Sequence, residues 1–275
     1  MDTPGMEERE VTRAAGQHRE TTVIVLAHQD DDIAFAPLIR RLKVSGAPLA
    51  VAYLTDGSGG RASSAVRDAE TRRALTTLGV APAEILFVGS PLAIPDSALF
   101  RALDVAYDSL EAALAPLQPI GDIYTLAWEG GHIDHDATHL VTAVLAQAHG
   151  RLDRAWQVPF YRTADRGPPW FSLFAPLPAN GAVTEIPLTR DEALLRATLM
   201  RHYPSQWRVL SGLAPGLVWH GATATVMRAQ RLRPERLWHR PMPERLFYER
   251  GGRTQFEEFA AHARAFLALR KLQGR

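Results

Sequence analysis

The sequence predicts an α/β fold in three layers, a mostly parallel central sheet between helices, followed by a less regular C-terminal lobe. Short apolar runs rich in β-branched residues alternate with longer stretches of helical periodicity, which is the pattern of βαβ units. Two of these runs, at residues 22–27 and 123–127, stop at clusters of histidine and carboxylate. Strands of a parallel sheet deliver side chains to its carboxyl edge in this way. A chain of 275 residues that is 46% hydrophobic and 22% charged has enough apolar material for such a core. Together these features predict a Rossmann-like sandwich.

The elements follow in order. Residues 22–27 form the first strand, and a helix over 33–44 stops at Gly46. Residues 50–54 form the second strand, ending at Thr55. Asp56, Gly57, Ser58, Gly59 and Gly60 then make a loop with little side-chain bulk, which lets backbone approach a ligand closely. A helix over 64–78 closes at Gly79, and residues 85–88 are the third strand. Pro91 and Pro95 mark a loop before a helix over 97–114. The fourth strand is 123–127, a helix runs from near Asp134 to before Gly150, and a strand over 156–160 closes the core.

Past that point the pattern weakens. Gly167, Pro168 and Pro169 break the chain, helices are expected over 191–201 and 254–272, and residues 231–245 read as a solvated loop. The expected organisation is a flexible tail over 1–20 and one domain over 21–275. That domain has its core over about 21–161 and a substrate-selecting part over 162–275.

Composition excludes several functions. Thirty-one Lys and Arg face thirty Asp and Glu, a formal net charge of +1, so no global field draws the chain to nucleic acid or an anionic membrane. Any basic surface must be local. The absence of cysteine removes disulfides, thiolate metal sites and a cysteine nucleophile, leaving histidine and carboxylate as the strong metal ligands. No run approaches the ~20 apolar residues of a membrane span. Residues 1–20 lack the apolar core of a signal peptide, so a cytoplasmic protein is expected.

The chemistry gathers after the first and fourth strands. The first cluster is His28, Gln29, Asp30, Asp31 and Asp32; adjacent carboxylates repel one another unless a cation or hydrogen-bond donors hold them ionised. The second is Gly130, Gly131, His132, Ile133, Asp134 and His135, two imidazoles flanking a carboxylate at a helix start. Between them they supply the three protein ligands and open fourth position of a catalytic zinc site.

The motif Ala27-His28-Gln29-Asp30-Asp31-Asp32 after a strand, followed by His132-Ile133-Asp134-His135 after a later one, resembles the LmbE/PIG-L N-acetylglucosaminyl deacetylase family. The resemblance extends through Thr55-Asp56-Gly57, Arg67 and Glu70, Leu78-Gly79-Val80, and Ser205-Gln206, over roughly residues 22–207. It implies zinc held by His28, Asp31 and His135. It further implies Asp30 as general base, His132 as oxyanion stabiliser with Asp134 holding its ring, and Arg67 as a substrate-binding residue. The activity implied is hydrolysis of an N-acetyl or other N-acyl group on an amino sugar or its conjugate, with a small-molecule sugar as partner. Three positions depart from the family pattern: Gln29 and Ile133 stand in place of prolines, and Asp32 in place of glutamate. The tyrosine some members carry near the second motif is not evident, Gly130 occupying that region.

Competing functions each leave one cluster unused. A magnesium-dependent phosphatase would use Asp30 and Asp32 with Thr55 and leave the histidines idle. A metalloprotease helix pairing His135 with His139 would leave the aspartates idle. A non-enzymatic nucleotide-binding module would need a glycine-rich turn after the first strand, where His28 stands. Arg67 and Glu70 have the alternative of a helix-face ion pair, and His202, Ser205, Gln206 and Trp207 are candidates to line a sugar pocket.

Overall fold

A computed structural model of the chain describes residues 19–59, 62–164, 171–251 and 254–272. Gly60, the break at Gly167, Pro168 and Pro169, and nearly all of the expected N-terminal tail lie outside the described residues.

The chain builds a seven-stranded sheet flanked on both faces by helices. In chain order the core elements are β1 (Thr21–Leu26), α1 (Asp32–Val44), β2 (Leu49–Tyr53), α2 (Ser64–Thr77), β3 (Ile85–Phe87), the single turn α3 (Gly89–Leu92), α4 (Leu103–Leu114), β4 (Ile120–Leu126), α5 (Ile133–Ala148) and β5 (Ala155–Val158). There follow β6 (Tyr161–Thr163), β7 (Phe171–Leu173), β8 (Val183–Pro187), α6 (Arg190–Leu199), α7 (Trp207–Thr223), β9 (Val226–Arg231) and α8 (Phe256–Leu269).

Strand periodicity divides the core into its layers. Along β1, Val23 and Val25 join the apolar cluster under α4, α5 and α8, whereas Ile24 and Leu26 join the cluster under α1, α2, α6 and α7. Both faces are covered, so β1 is buried along its whole length, as a central parallel strand must be.

The sheet order is β3-β2-β1-β4-β5-β9-β8. The first five strands pair in parallel, with Val23 beside Ala50 on one side and Ile123 on the other. β9 and β8 add antiparallel to β5. Chain progression reverses between β1 and β4, and a crevice opens beyond the carboxyl ends of strands at such a point. The His28 cluster leaves β1 and the His132 cluster leaves β4, which brings two loops separated by a hundred residues to one place.

Three expectations shift. The helix expected over 97–114 begins only at Leu103, because the N–H groups of Ser97 and Leu99 donate to the Asp134 carboxylate and a 3-10 turn over Leu99–Arg101 intervenes. The segment 162–250, expected to be irregular apart from one helix, contains four strands and the 17-residue α7. Gly216 inside α7 is where Leu173 of β7 packs against the helix. Residues 231–245 are not merely solvated: Leu237 and Met242 are buried and Arg240 pairs with Glu249. Among the described residues no helix is long and apolar enough to cross a membrane.

The C-terminal helix closes the layer below the site. Phe259 of α8 is fully buried, with its ring 5.8 Å from Trp128, at the head of the His132 loop, and 6.1 Å from Phe100. Phe259→Ala is expected to cost about 3–5 kcal/mol by removing a large core side chain. Urea denaturation checks this, and a loss under 1 kcal/mol would show that the layer collapses around the gap.

Candidate metal centre

The two loops are built so that carboxylates and imidazoles point inward. After Ala27 the chain turns sharply, with the N–H groups of Asp30 and Asp31 both donating to the His28 carbonyl at 2.9 and 3.2 Å. The His28 N–H in turn donates to Asp31 Oδ2 at 2.7 Å. After β4, the N–H groups of Glu129 and Gly130 donate to Asp136 Oδ1 at 3.3 and 3.2 Å, folding the loop onto the first turn of α5. Gly131 has no alternative residue type, because a Cβ there would stand 1.9 Å from the Tyr161 carbonyl oxygen. Glu129 Oε1 accepts the Phe160 N–H at 2.7 Å and ties the loop to the next segment.

At the centre sits Asp31. Its Oδ1 lies 3.0 Å from His135 Nε2 and its Oδ2 lies 3.4 Å from His28 Nδ1. Candidate ligand atoms of His28, His132 and His135 also fall within 4.8 Å of one another. Asp31 thus contacts two of these three rings, one through each carboxylate oxygen. Tetrahedral zinc with bonds of about 2.0–2.1 Å sets neighbouring donors about 3.3 Å apart, so small movements of these side chains would bring them to a shared ion. Asp134, on the far side of His28, takes its Nε2 at 3.1 Å and the Leu99 N–H at 3.1 Å, and also bonds the Ser97 N–H. It does not hold the His132 ring as the family resemblance implied; Asp134 Oδ2 is 3.8 Å from His132 Nδ1, and that nitrogen accepts the Asp134 backbone N–H at 3.2 Å instead. His132 is therefore the N-cap of α5. A ring that accepts at Nδ1 carries its proton on Nε2.

Electrostatics agree with this geometry. Burial works against the charged form of His28, but Asp96, Asp31 and Asp134 outweigh it and hold the ring's pKa well above the usual histidine value. Burial likewise opposes ionisation of Asp31, and His135 and His28 outweigh it, keeping this carboxyl well below the usual range. Burial first, and the neighbouring His28 second, push His132 down to about 3, so it is neutral at physiological pH. A position where carboxylates favour positive charge on buried imidazoles is one that a divalent cation suits.

The remaining expected residues are divided by the fold. Asp30 lines the cavity and accepts from Arg67 Nη2 at 3.0 Å; Arg67 is buried, and its Nε and Nη1 have no hydrogen-bond partner. Arg67 and Glu70 are not an ion pair, because Glu70 accepts the Ser205 N–H and Oγ–H at 2.9 and 2.6 Å. Asp32 faces away from the cavity, bonded to the Tyr53 hydroxyl at 2.8 Å and to the Tyr203 hydroxyl. Thr55 spends its hydroxyl on the Ala27 carbonyl at 2.7 Å. Neither residue is available to the phosphatase arrangement. His139 is buried with Nδ1 2.8 Å from the Leu126 carbonyl, away from His135's partner set, which removes the metalloprotease pairing.

Gln29, in place of the family's proline, is fixed by other means. Its Nε2 donates to the Thr55 carbonyl at 3.1 Å and to Asp68 Oδ1 at 3.0 Å, and its carbonyl accepts from Thr71. Gly57 makes room for it: at φ +64°, a Cβ would stand 2.3 Å from Gln29 Oε1.

These groups line a cavity of about 290 Å³. Its wall also includes Asp96, Phe160, Tyr161, Gln206, Leu213 and Phe247. Apart from Gln206, the sequence singled out none of these. Asp96 is a lone carboxylate in a proline-containing loop, and only the 4.0 Å approach of its Oδ1 to His28 Nε2 reveals it. Tyr161, its ring 5.3 Å from that of His135, comes from a different strand than the motif beside which a tyrosine was sought. His202, Ser205 and Trp207 do not line the cavity.

A mainly parallel sheet with these loops at its switch point defines a class of α/β domain seen in deacetylases. Residues 23–146 match the family model described as PIG-L: GlcNAc-PI de-N-acetylase. That segment is a PIG-L (LmbE-like) domain. No curated protein matches the chain significantly. Among solved structures the chain is similar to the A40926 pseudoaglycone deacetylase Dbv21, at 18% identity, with 78% of this chain and 98% of that one covered and a TM-score of 0.58. It is also similar to a deacetylase of the teicoplanin biosynthesis pathway solved as a bog complex, at 15% identity, 76% and 96% coverage and a TM-score of 0.59. At these identities the likeness is one of fold.

Glu129 gives a test of the loop's electrostatics. Burial pushes its carboxyl from 4.5 up to about 7, partly offset by the Phe160 N–H. The native state therefore keeps a proton that the unfolded chain has lost, so this group removes stability as pH rises from 4.5 through 7. Glu129→Gln is expected to gain about 3 kcal/mol on the wild type between pH 4.5 and pH 8, measured by denaturation at each pH. A pH-independent difference would mean that the carboxyl is ionised in the native state throughout.

Proposed function

We propose that the chain is a zinc-dependent hydrolase that removes an N-acetyl or other N-acyl group from an amino sugar or amino-sugar conjugate, with residues 21–275 acting as one unit in the cytoplasm. The observation that carries this proposal is the convergence of His28, His132 and His135, whose ligand atoms lie within 4.8 Å of one another, on the Asp31 carboxylate, which contacts His28 Nδ1 and His135 Nε2. Continuity of the sheet through β9 and β8 supports the single unit.

His28, Asp31 and His135 would hold the metal, and zinc bound there supplies Lewis-acid polarisation of the amide carbonyl and a lowered pKa for water. The protein's own groups do the rest. Asp30, unligated and oriented by Arg67, takes the proton of the attacking water and returns it to the nitrogen as the C–N bond breaks, leaving a carboxylate and a free amine. His132 donates its Nε2 proton in a hydrogen bond to the developing oxyanion, a role that a neutral imidazole fixed by the α5 N–H performs without changing charge. The carboxylate of Asp96 on the cavity wall is suited to accept from a sugar hydroxyl, and Arg67 lends the same wall its positive charge.

Elemental analysis of the purified chain should find about one zinc, lost in His28→Ala and His135→Ala. Asp30→Asn should keep its zinc and lose about 10²- to 10⁴-fold in acetate release from N-acetyl amino sugars. Magnesium-dependent phosphate release that survives His135→Ala would overturn the proposal in favour of a phosphatase.

A further inference from the structure

Among the described residues, α7 is the helix that exposes tryptophan, at Trp207 and Trp219. Leu210, Leu217 and Gly221 turn inward, as the spacing of one helical face requires. Four of the outward positions are large and apolar: Trp207, Val209, Val218 and Trp219 are 62%, 50%, 54% and 69% exposed, with Arg208 and Ser211 among them. An exposed apolar patch of this kind marks a contact surface. Among the described residues this side is left to solvent.

Two further features indicate what covers it. The first is charge. No aspartate or glutamate occurs between Glu192 and Glu235, while Arg201 and Arg208 are exposed in that stretch, with the Arg208 guanidinium 5.5 Å from the Trp207 ring. In a chain of net charge +1 this is a local cationic and aromatic face. A second copy docked symmetrically would set this face against itself, arginine facing arginine with no carboxylate in the segment to receive either. Anionic headgroups supply the missing charge, and tryptophan is the side chain suited to the boundary between headgroup and acyl chain. The second is position. Val209, Leu210 and Leu213 of the same helix form one wall of the metal-centre cavity, so the exposed face continues to the cavity mouth.

We propose that α7 is a lipid-docking face that seats the chain peripherally on an anionic membrane surface. Trp207, Val218 and Trp219 enter the interface, Arg201 and Arg208 meet the headgroups, and the cavity mouth lies beside the surface. The docking is independent of which acyl group the site removes.

The test uses the full-length chain and sedimentation with vesicles of equimolar phosphatidylcholine and phosphatidylglycerol, against vesicles of phosphatidylcholine alone. The wild type is expected to bind the anionic vesicles with a blue shift of tryptophan emission, and salt should weaken the binding. The double variant Trp207→Ser/Trp219→Ser should lose about tenfold or more in partitioning. Arg208→Glu should weaken binding to the anionic vesicles only. Unchanged zinc content and thermal midpoint would show both variants folded. The proposal is overturned if the wild type ignores both vesicle types, or if the double variant binds as well as the wild type. It is equally overturned if sedimentation velocity finds a dimer that the double variant dissolves, which would assign the face to a second copy.

Discussion

Burying a carboxylate without compensation costs several kcal/mol, and the switch point between β1 and β4 buries two, Asp31 and Asp134, within reach of the same imidazole. Much of the local structure follows from compensating them. Asp134 gathers the His28 ring and the N–H groups of Ser97 and Leu99, and in doing so delays the start of α4 and brings Asp96 to the cavity. Asp31 takes the His28 N–H and stands between two ring nitrogens. A cation completes this arrangement because the carboxylates already favour positive charge at that point. The histidine and carboxylate cluster is thus the solution to an electrostatic problem that the topology creates, not an ornament on a finished fold.

A supporting layer keeps those groups in place. Asp136 and Glu129, both buried acids, spend acceptor oxygens on backbone N–H groups of the loops rather than on the cavity. Gln29 and Asp32 depart from the family's residue types but retain anchorage, the first through Thr55 and Asp68, the second through two tyrosine hydroxyls. Asp32 is shorter than glutamate, and Tyr53 and Tyr203 reach it where it stands. Substitution has changed which bonds hold the first loop without releasing it.

The sequence made the candidate site legible because its histidines and carboxylates occur in two dense clusters, each at the end of an apolar run whose strand character is unambiguous. His28, Asp31 and His135 needed only the switch-point rule to be brought together. The rest of the cavity was not legible, for a physical reason: Asp96, Phe160, Tyr161 and Phe247 reach it singly, from separate loops, through long-range packing that leaves no local pattern. Asp134 was seen, but its partner was not, since the choice between His28 and His132 depends on distances of 3.1 and 3.8 Å that spacing does not encode. The helix α7 was hidden by its own Gly212, Pro215 and Gly216, which resemble breaks and serve close packing and exposure instead.

Anomalous scattering at the zinc edge from crystals of the purified chain bears most directly on the central claim. One peak is predicted, bounded by His28 Nδ1, the Asp31 carboxylate and His135 Nε2, with Asp30 and His132 near it but not bonded to it. A peak held by Asp30, or one coordinated through His132 with Asp31 released, would contradict the account of how the two loops share their charges.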